Sequence, residues 1–258
     1  RDAGKAVDEL IQDADGRDFA THLTATREGP LLRKDPLDYA PLLTELLWDR
    51  FATTALSATL ALDGEFDHFK RITGFRSDFE EILPSPFDFA TQAAIYLPPL
   101  GTIPDPTTSR DPAVEPFYYQ AVADELSRLI SLAGGRTLAL FHSRKEMEGV
   151  GARMRLPSGL PLLLQPRGGS GNVGRQFRSD IPSSLLALRS FWTGFDAPGE
   201  TLSVVVLVRV PFEVPTEPAQ IARLVYLAQK GFDPFRDHTL ANAKMLLRQG
   251  SGRLGRSP

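Results

Sequence analysis

The sequence predicts an α/β fold: a parallel sheet covered by helices on both faces. Three observations carry that prediction. Four short runs, Thr137–Phe141, Leu162–Gln165, Leu185–Arg189 and Leu202–Val208, are almost continuously apolar, as strands buried on both faces are, and show no alternation of polar and apolar residues. Segments with helical spacing alternate with these runs, notably Phe117–Ala133 with Val122, Leu126, Leu129 and Ile130 on one stripe. That helix runs into Gly134-Gly135, residue types that stop helices by adopting left-handed backbone.

Taken in order, residues 1–50 are polar and acidic, with one apolar helical stripe over Leu37–Trp48 (Leu42, Leu43, Leu46, Leu47). Phe51–Leu62 (FATTALSATLAL) is short and rich in alanine and β-branched residues, and reads as a buried strand entering a turn at Asp63-Gly64. Asp67–Thr73 reads as a short helix stopped by Gly74. From Leu83 to Pro116 proline is too frequent for helices of ordinary length, so an extended passage between domains is expected, with one strand near Ala93–Leu97. A helix over Arg144–Arg155 and a final helix over Thr239–Arg248 complete the set. The boundaries that follow are 1–62, 63–116 and 117–258. No repeat with a period of 20–50 residues is visible.

A chain of 258 residues, 42% of them hydrophobic, can bury a core in one or two domains. With no cysteine, disulfides, thiolate metal sites and an iron–sulfur cluster are excluded within this stretch. The four histidines (His22, His68, His142, His238) are scattered and read as packing or surface residues, so no metal site is expected. No apolar run is long enough to cross a bilayer, and no membrane partner is expected. The chain opens at Arg1 rather than Met and lacks a signal-like segment, which reads as a portion of a longer protein. The net charge of −3 hides an asymmetry: residues 1–135 hold 12 Lys/Arg against 23 Asp/Glu, and residues 136–258 hold 17 against 9. A basic half suits phosphate, although two oppositely charged halves also pack on each other.

Several strings carry chemistry. Gln249-Gly-Ser-Gly-Arg-Leu-Gly-Arg256 follows the last helix and places Arg253 and Arg256 three residues apart, so a helical continuation aims both at one polyanion. A solvated basic tail is the plain alternative. Ser190-Phe-Trp-Thr-Gly-Phe-Asp196 follows the Leu185 strand at its carboxyl end, where open α/β sheets bind ligands. Read without context it is a buried aromatic cluster with a turn aspartate. Ser57-Ala-Thr-Leu60 offers two hydroxyls, and Phe141-His-Ser-Arg144 follows the Thr137 strand with a serine and an arginine able to donate to phosphate. Both also read as helix or turn caps. Gly169-Ser-Gly171-Asn-Val-Gly174 has dinucleotide-loop spacing, but Pro182 cuts short the helix it should open. A flexible basic loop is the better reading.

In chain order, Ser57–Leu60, Ser190–Asp196 and Gln249–Arg256 resemble the last third of a superfamily-two helicase of the DinG/XPD type. The resemblance covers Phe51 to Pro258; residues 1–50 match poorly. It implies a RecA-like second motor domain over 117–258, with residues 1–62 as the tail of the first motor domain and 63–116 as the connection. It also assigns roles. Arg256 becomes the arginine finger, with Arg253 and Gln249 at the other catalytic positions. Gly194, Asp196 and Gly252 become nucleotide-linked, Ser143, Arg144, Ser190 and Trp192 face DNA, and Ser57 and Thr59 couple hydrolysis to domain movement. ATP with Mg²⁺, held mainly by the first motor domain, and single-stranded or forked DNA are the implied cofactors and partners. Movement is expected 5′→3′, in a cytoplasmic, DNA-repair setting. Thr193, Gly255 and Val208 depart from the family pattern. Neither a G-x-x-x-x-G-K-[ST] loop nor a D-E-x-H box occurs in the sequence, so this chain alone is expected not to hydrolyse ATP. The competing reading is a non-catalytic nucleic-acid-binding or regulatory module on a helicase-derived fold.

Overall fold

The computed structural model describes residues 19–26, 29–85, 87–105, 111–168, 171–192, 195, 197, 199–252 and 254. In chain order the elements are β1 (Phe19–Thr26), β2 (Gly29–Pro36), α1 (Ala40–Leu43) with a π-helical turn Thr44–Trp48, α2 (Asp67–Thr73) and α3 (Phe89–Gln92). Then come α4 (Glu115–Ala133), β3 (Thr137–Leu140), α5 (Arg144–Gly151), β4 (Leu162–Leu164), α6 (Gly171–Ser179), β5 (Ser184–Ala187) and β6 (Val204–Leu207). The last are α7 (Pro218–Gln229), a π-helical turn Phe235–Leu240, and α8 (Ala241–Ser251). The chain forms two compact units: residues 1–83 with 212–245, and residues 84–211 with 246–258.

The second unit holds the predicted sheet. Its strands lie in the order β4-β5-β3-β6, all parallel, with Thr137 level with both Ser184 and Val204. Alternate residues of β3 point to opposite faces. Ala139 and the following Phe141 enter a core with Tyr118, Val122, Leu126 and Ile130 of α4 and Met147 and Val150 of α5. Leu138 and Leu140 enter a second core with Val173 and Phe177 of α6 and with Phe191, Trp192 and Phe195. Helices thus cover both faces, and the architecture is RecA-like α/β. β6, the most apolar run in the sequence, is only half-buried because it occupies the sheet edge.

Close approach fixes two glycines. Gly135 has φ +87°, and a Cβ there would stand 1.9 Å from the Pro182 carbonyl oxygen. Gly174 lies under the Phe195 ring, 2.9 Å from where a Cβ would be. Of the segment expected as a flexible basic loop, residues 171–174 begin a helix, α6, and Gly174 serves packing.

The other unit departs further from expectation. β1 and β2 form an antiparallel hairpin, pairing Thr21 with Lys34, in a region the sequence marked only as polar. Phe51–Leu62 forms no strand; it is irregular, with Leu56 88% exposed. Ala93–Leu97, in the second unit, likewise forms no strand and leaves Ile95 exposed. Both runs have strand-like residues but no partner strand among the described residues, and strand propensity without pairing is weak. The turn after Leu62 does form, with Asp63 at φ 55° and Gly64 at φ 86°. α2 matches its predicted bounds, and Gly74 ends it in left-handed geometry at φ 70°.

Arginines tie this first unit together. Arg223 of α7 donates to the Pro36 carbonyl at 3.0 Å and lies 4.6 Å over the Tyr39 ring. Arg71 of α2 donates to the Asp237 carbonyl and lies over Phe232. Lys244 meets Asp63 at 2.6 Å. His68 and His238 stand among these cations. Burial first, then Arg71 and His238, hold His68 below its ordinary pKa against the pull of Asp237. Burial, then Arg223, lower His238 despite Glu213.

Both histidines bind protons more readily unfolded than folded, so stability is complete above their unfolded pKa near 6.5 and falls as pH drops below it. Urea midpoints followed from pH 7.5 to 5 should fall, and His68→Gln should remove part of that fall. A midpoint unchanged over this range would contradict the sign.

Candidate nucleic-acid interface at the sheet edge

The parallel strands start level and run for four residues in β3, β5 and β6 and three in β4, so their carboxyl ends lie along one edge. After β3, Phe141 is buried and donates its N–H to the Ala187 carbonyl at 2.8 Å. His142, Ser143 and Arg144 follow. Ser143 has extended backbone (φ −130°, ψ 148°) and its Oγ accepts from the Glu146 N–H at 3.1 Å, capping α5. Arg144 reaches back to the end of β4, donating from Nη1 to the Gln165 carbonyl at 2.9 Å and from Nη2 to the Pro166 carbonyl at 3.3 Å.

Gln165 binds this edge together. It is 8% exposed. Its Oε1 accepts from the Leu188 N–H at 2.8 Å, and its Nε2 donates to Ser190 Oγ at 2.9 Å. Ser143, Arg144 and Ser190, expected on the DNA side, are thereby held on consecutive strand ends. Gln165 itself was not singled out in the sequence. Its only signal was a polar residue closing the run Leu162-Leu-Leu-Gln165.

Trp192 requires a correction. It was expected to face DNA, yet it is 2% exposed and sits in the second core. Its indole meets His142 edge-on at 5.4 Å, so the side chain nearer the edge is His142. α8 packs closely here because Gly250 has no side chain: a Cβ would stand 3.2 Å from Leu207 Cδ2 and 3.6 Å from the Trp192 ring. Gln249 is half-buried on α8, and the Gly252 N–H closes the helix on the Arg248 carbonyl at 3.0 Å. Arg253, Arg256, Gly194 and Asp196 lie outside the described residues. Ser57 and Thr59 belong to the other unit. Their hydroxyls are 3.2 Å apart, and the Thr59 N–H donates to Ser57 Oγ in an exposed turn rather than at a strand end.

Beside this edge lies a group that no local pattern in the sequence marks. Glu146, on the inward face of α5, is 3% exposed. Its Oε1 accepts from Arg209 Nε at 2.7 Å and from the Tyr118 hydroxyl at 2.9 Å. Burial, then the Glu146 charge, raise the Tyr118 phenol far above its ordinary pKa. Burial works against the Arg209 charge, but Glu146 and Tyr118 outweigh it and raise its pKa. Next to the trio, Lys145 meets Glu115 at 2.6 Å, and Glu115 also accepts from the Tyr119 hydroxyl at 2.9 Å. Lys145, then Tyr119, hold the Glu115 carboxyl below its usual range. Burial, then Glu115, push Tyr119 up to about 12. Together Glu115, Tyr119, His142, Ser143, Lys145, Glu146 and Arg209 line a cleft of about 370 Å³.

The comparisons with known proteins agree with this architecture. The family described as the helicase C-terminal domain matches residues 126–258. This chain belongs to that family. Its similarity extends over most of its length to DinG-type superfamily-two sequences. It is 33% identical over 227 residues to the ATP-dependent helicase DinG of Mycobacterium tuberculosis (strain ATCC 25177 / H37Ra), covering 87% of this chain and 33% of that protein. It is 32% identical over 242 residues to the ATP-dependent DNA helicase YoaA of Haemophilus influenzae, covering 94% and 35%. It is 30% identical over 230 residues to the 3′-5′ exonuclease DinG of Bacillus subtilis, covering 86% and 24%. The chain spans about a third or less of the length of these curated relatives. Within the matched residues, the strings beginning at Phe141 and Ser190 follow β3 and β5 at the carboxyl edge, whereas the string beginning at Gln249 lies at the end of α8.

The buried pair has a measurable signature. Removing one partner strands a charge in the core, at a cost of about 3–5 kcal/mol, whereas an apolar replacement of both is often neutral or stabilising. Glu146→Leu or Arg209→Met alone should therefore lower the urea midpoint strongly, and the double variant should recover most of it. Additive losses in that cycle would show that the two side chains act independently.

Proposed function

We propose that this chain is the C-terminal portion of an ATP-dependent DNA helicase of the DinG/XPD type, moving 5′→3′ on single-stranded or forked DNA. One observation carries the proposal: a chain of the helicase C-terminal domain family aligns Ser143, Arg144, Gln165 and Ser190 along one strand-end edge. In this reading residues 117–258 act as the second motor domain. Residues 1–62 are the tail of the first motor domain, and 63–116 connect the two. A cytoplasmic setting in DNA repair goes with the reading.

Ser143 and the first turn of α5 offer hydrogen-bond donors to backbone phosphates, and Ser190 extends that row. Arg144 keeps the ends of β3 and β4 in register while presenting its charge. Trp192 acts from beneath by supporting His142. Backbone contacts of this kind give slight sequence preference and strong salt dependence.

On the nucleotide side, Gln249 lies in the last turn of α8 and Gly252, Arg253 and Arg256 follow it in the sequence, with Gly194 and Asp196 completing the set. Arg256 serves as the finger: a permanently charged, forked guanidinium suits the charge spread over a transferring γ-phosphoryl group. Among the described residues no three His, Cys, Asp or Glu side chains cluster to hold a metal. The resemblance assigns Mg²⁺ and the phosphate loop mainly to the first motor domain, which is the partner of this one. Ser57 and Thr59 act as the coupling pair. The departures at Thr193 and Gly255 favour, as the second reading, a non-catalytic nucleic-acid-binding or regulatory module.

In the longer protein, Arg256→Ala should lower ATP turnover by about 10³-fold or more while single-strand affinity stays within a few fold. Turnover that survives the change removes Arg256 as the finger. If the unaltered longer protein binds DNA without hydrolysing ATP, the second reading replaces the first. Arg144→Ala should reduce the slope of log K against log salt by about one unit for an oligonucleotide. An unchanged slope takes Arg144 off the phosphate row.

A further inference from the structure

We propose that the cleft beside Glu146 is a phosphate subsite whose place is held by the Glu115 carboxylate until a nucleic-acid phosphate takes it. This rests on the single-strand-binding reading above and adds to it a residue pair that exchanges on binding. The cleft opens at the first turn of α5, on the strand-end edge that carries Ser143, and is lined by Lys145, His142, Ser143 and Arg209.

Two ion pairs meet in it, and they differ in kind. Arg209–Glu146 is buried, with side chains 28% and 4% exposed, and is locked by the Tyr118 hydroxyl. Such a pair does not open, because opening leaves a charge in the core. Lys145–Glu115 is the opposite case. The Lys145 side chain is 75% exposed, and exposed pairs of this type contribute little to stability. An ammonium on a flexible stem, with three donors, can leave one carboxylate oxygen for a phosphate oxygen at small cost. Ser143 and the amide end of α5 stand on the same side, and Glu115 retains its Tyr119 partner when Lys145 departs. Arg209, anchored by Glu146, stays as the fixed wall. The carboxylate thus keeps Lys145 aimed into the cleft and competes with the incoming anion.

The sign of the effect makes the inference testable. Fluorescence anisotropy would measure binding of a labelled oligothymidylate to this chain from 50 to 300 mM NaCl, with inorganic phosphate and ATP as separate probes. Glu115→Gln should tighten oligonucleotide binding about three- to tenfold at low salt, since it removes both the competitor and a repelling charge. Lys145→Gln should weaken binding and reduce the salt slope by about one unit. Both residues lie at the surface end of the cleft, and circular dichroism would confirm that each variant folds. Unchanged or weaker binding by Glu115→Gln overturns the placeholder role. Tightening for phosphate or ATP alone, without the oligonucleotide, also overturns it, because the subsite would then serve free phosphate. A wild-type chain that does not bind the oligonucleotide sinks the parent reading and this inference together. Binding with neutral variants sinks only this inference.

Discussion

Glu146 occupies a position on the buried face of α5, beside Met147 and four residues before Val150, where helical spacing demands an apolar residue. A carboxylate there survives only because Arg209 and Tyr118 both donate to it. Those two donors come from the exit of β6 and the start of α4, so a single buried oxygen draws three separate segments of the unit to one point. The turn Phe141–Arg144 begins α5 and inherits its aim from that junction. Buried ion pairs are poor sources of net stability; what this one does is hold three segments at one corner.

Absent side chains do comparable work on the other face. Gly250 lets α8 approach Leu207 and Trp192, and Gly174 lets α6 pass under Phe195. The string in which the resemblance puts Ser190 and Trp192 on the DNA side is consequently split. Its rings fill the second core, and its polar partner Ser190 stays at the edge on Gln165. An aromatic residue in a ligand-adjacent string acts through packing when glycines on neighbouring helices let backbone close over it.

Legibility follows the source of each element's stability. Asp67–Thr73, Glu115–Ala133 and the four parallel strands were readable because stop glycines, helical spacing and apolar runs are local signals. The strand expected over Phe51–Leu62 and that near Ala93–Leu97 failed because a strand exists only with a partner, and local composition does not supply one. The hairpin β1/β2 was missed for the complementary reason: its pairing supports a polar sequence that carries no strong alternation. At the site, Ser143, Arg144 and Ser190 were legible from their place after apolar runs. Gln165, Glu146 and Arg209 were not, since each gains its meaning from a residue between 21 and 91 positions away.

The sequence by itself determined the α/β class, the order of the strands along the chain and the strings that mark a helicase C-terminal domain. Those properties rest on periodicity, helix-stopping glycines and residue identity, all of which are local. The tertiary structure decided the spatial strand order β4-β5-β3-β6, the burial of Trp192 and the union of Tyr118, Glu146 and Arg209. Each of these depends on which distant surfaces exclude water together, and a buried charge declares its partner only once the chain has folded around it.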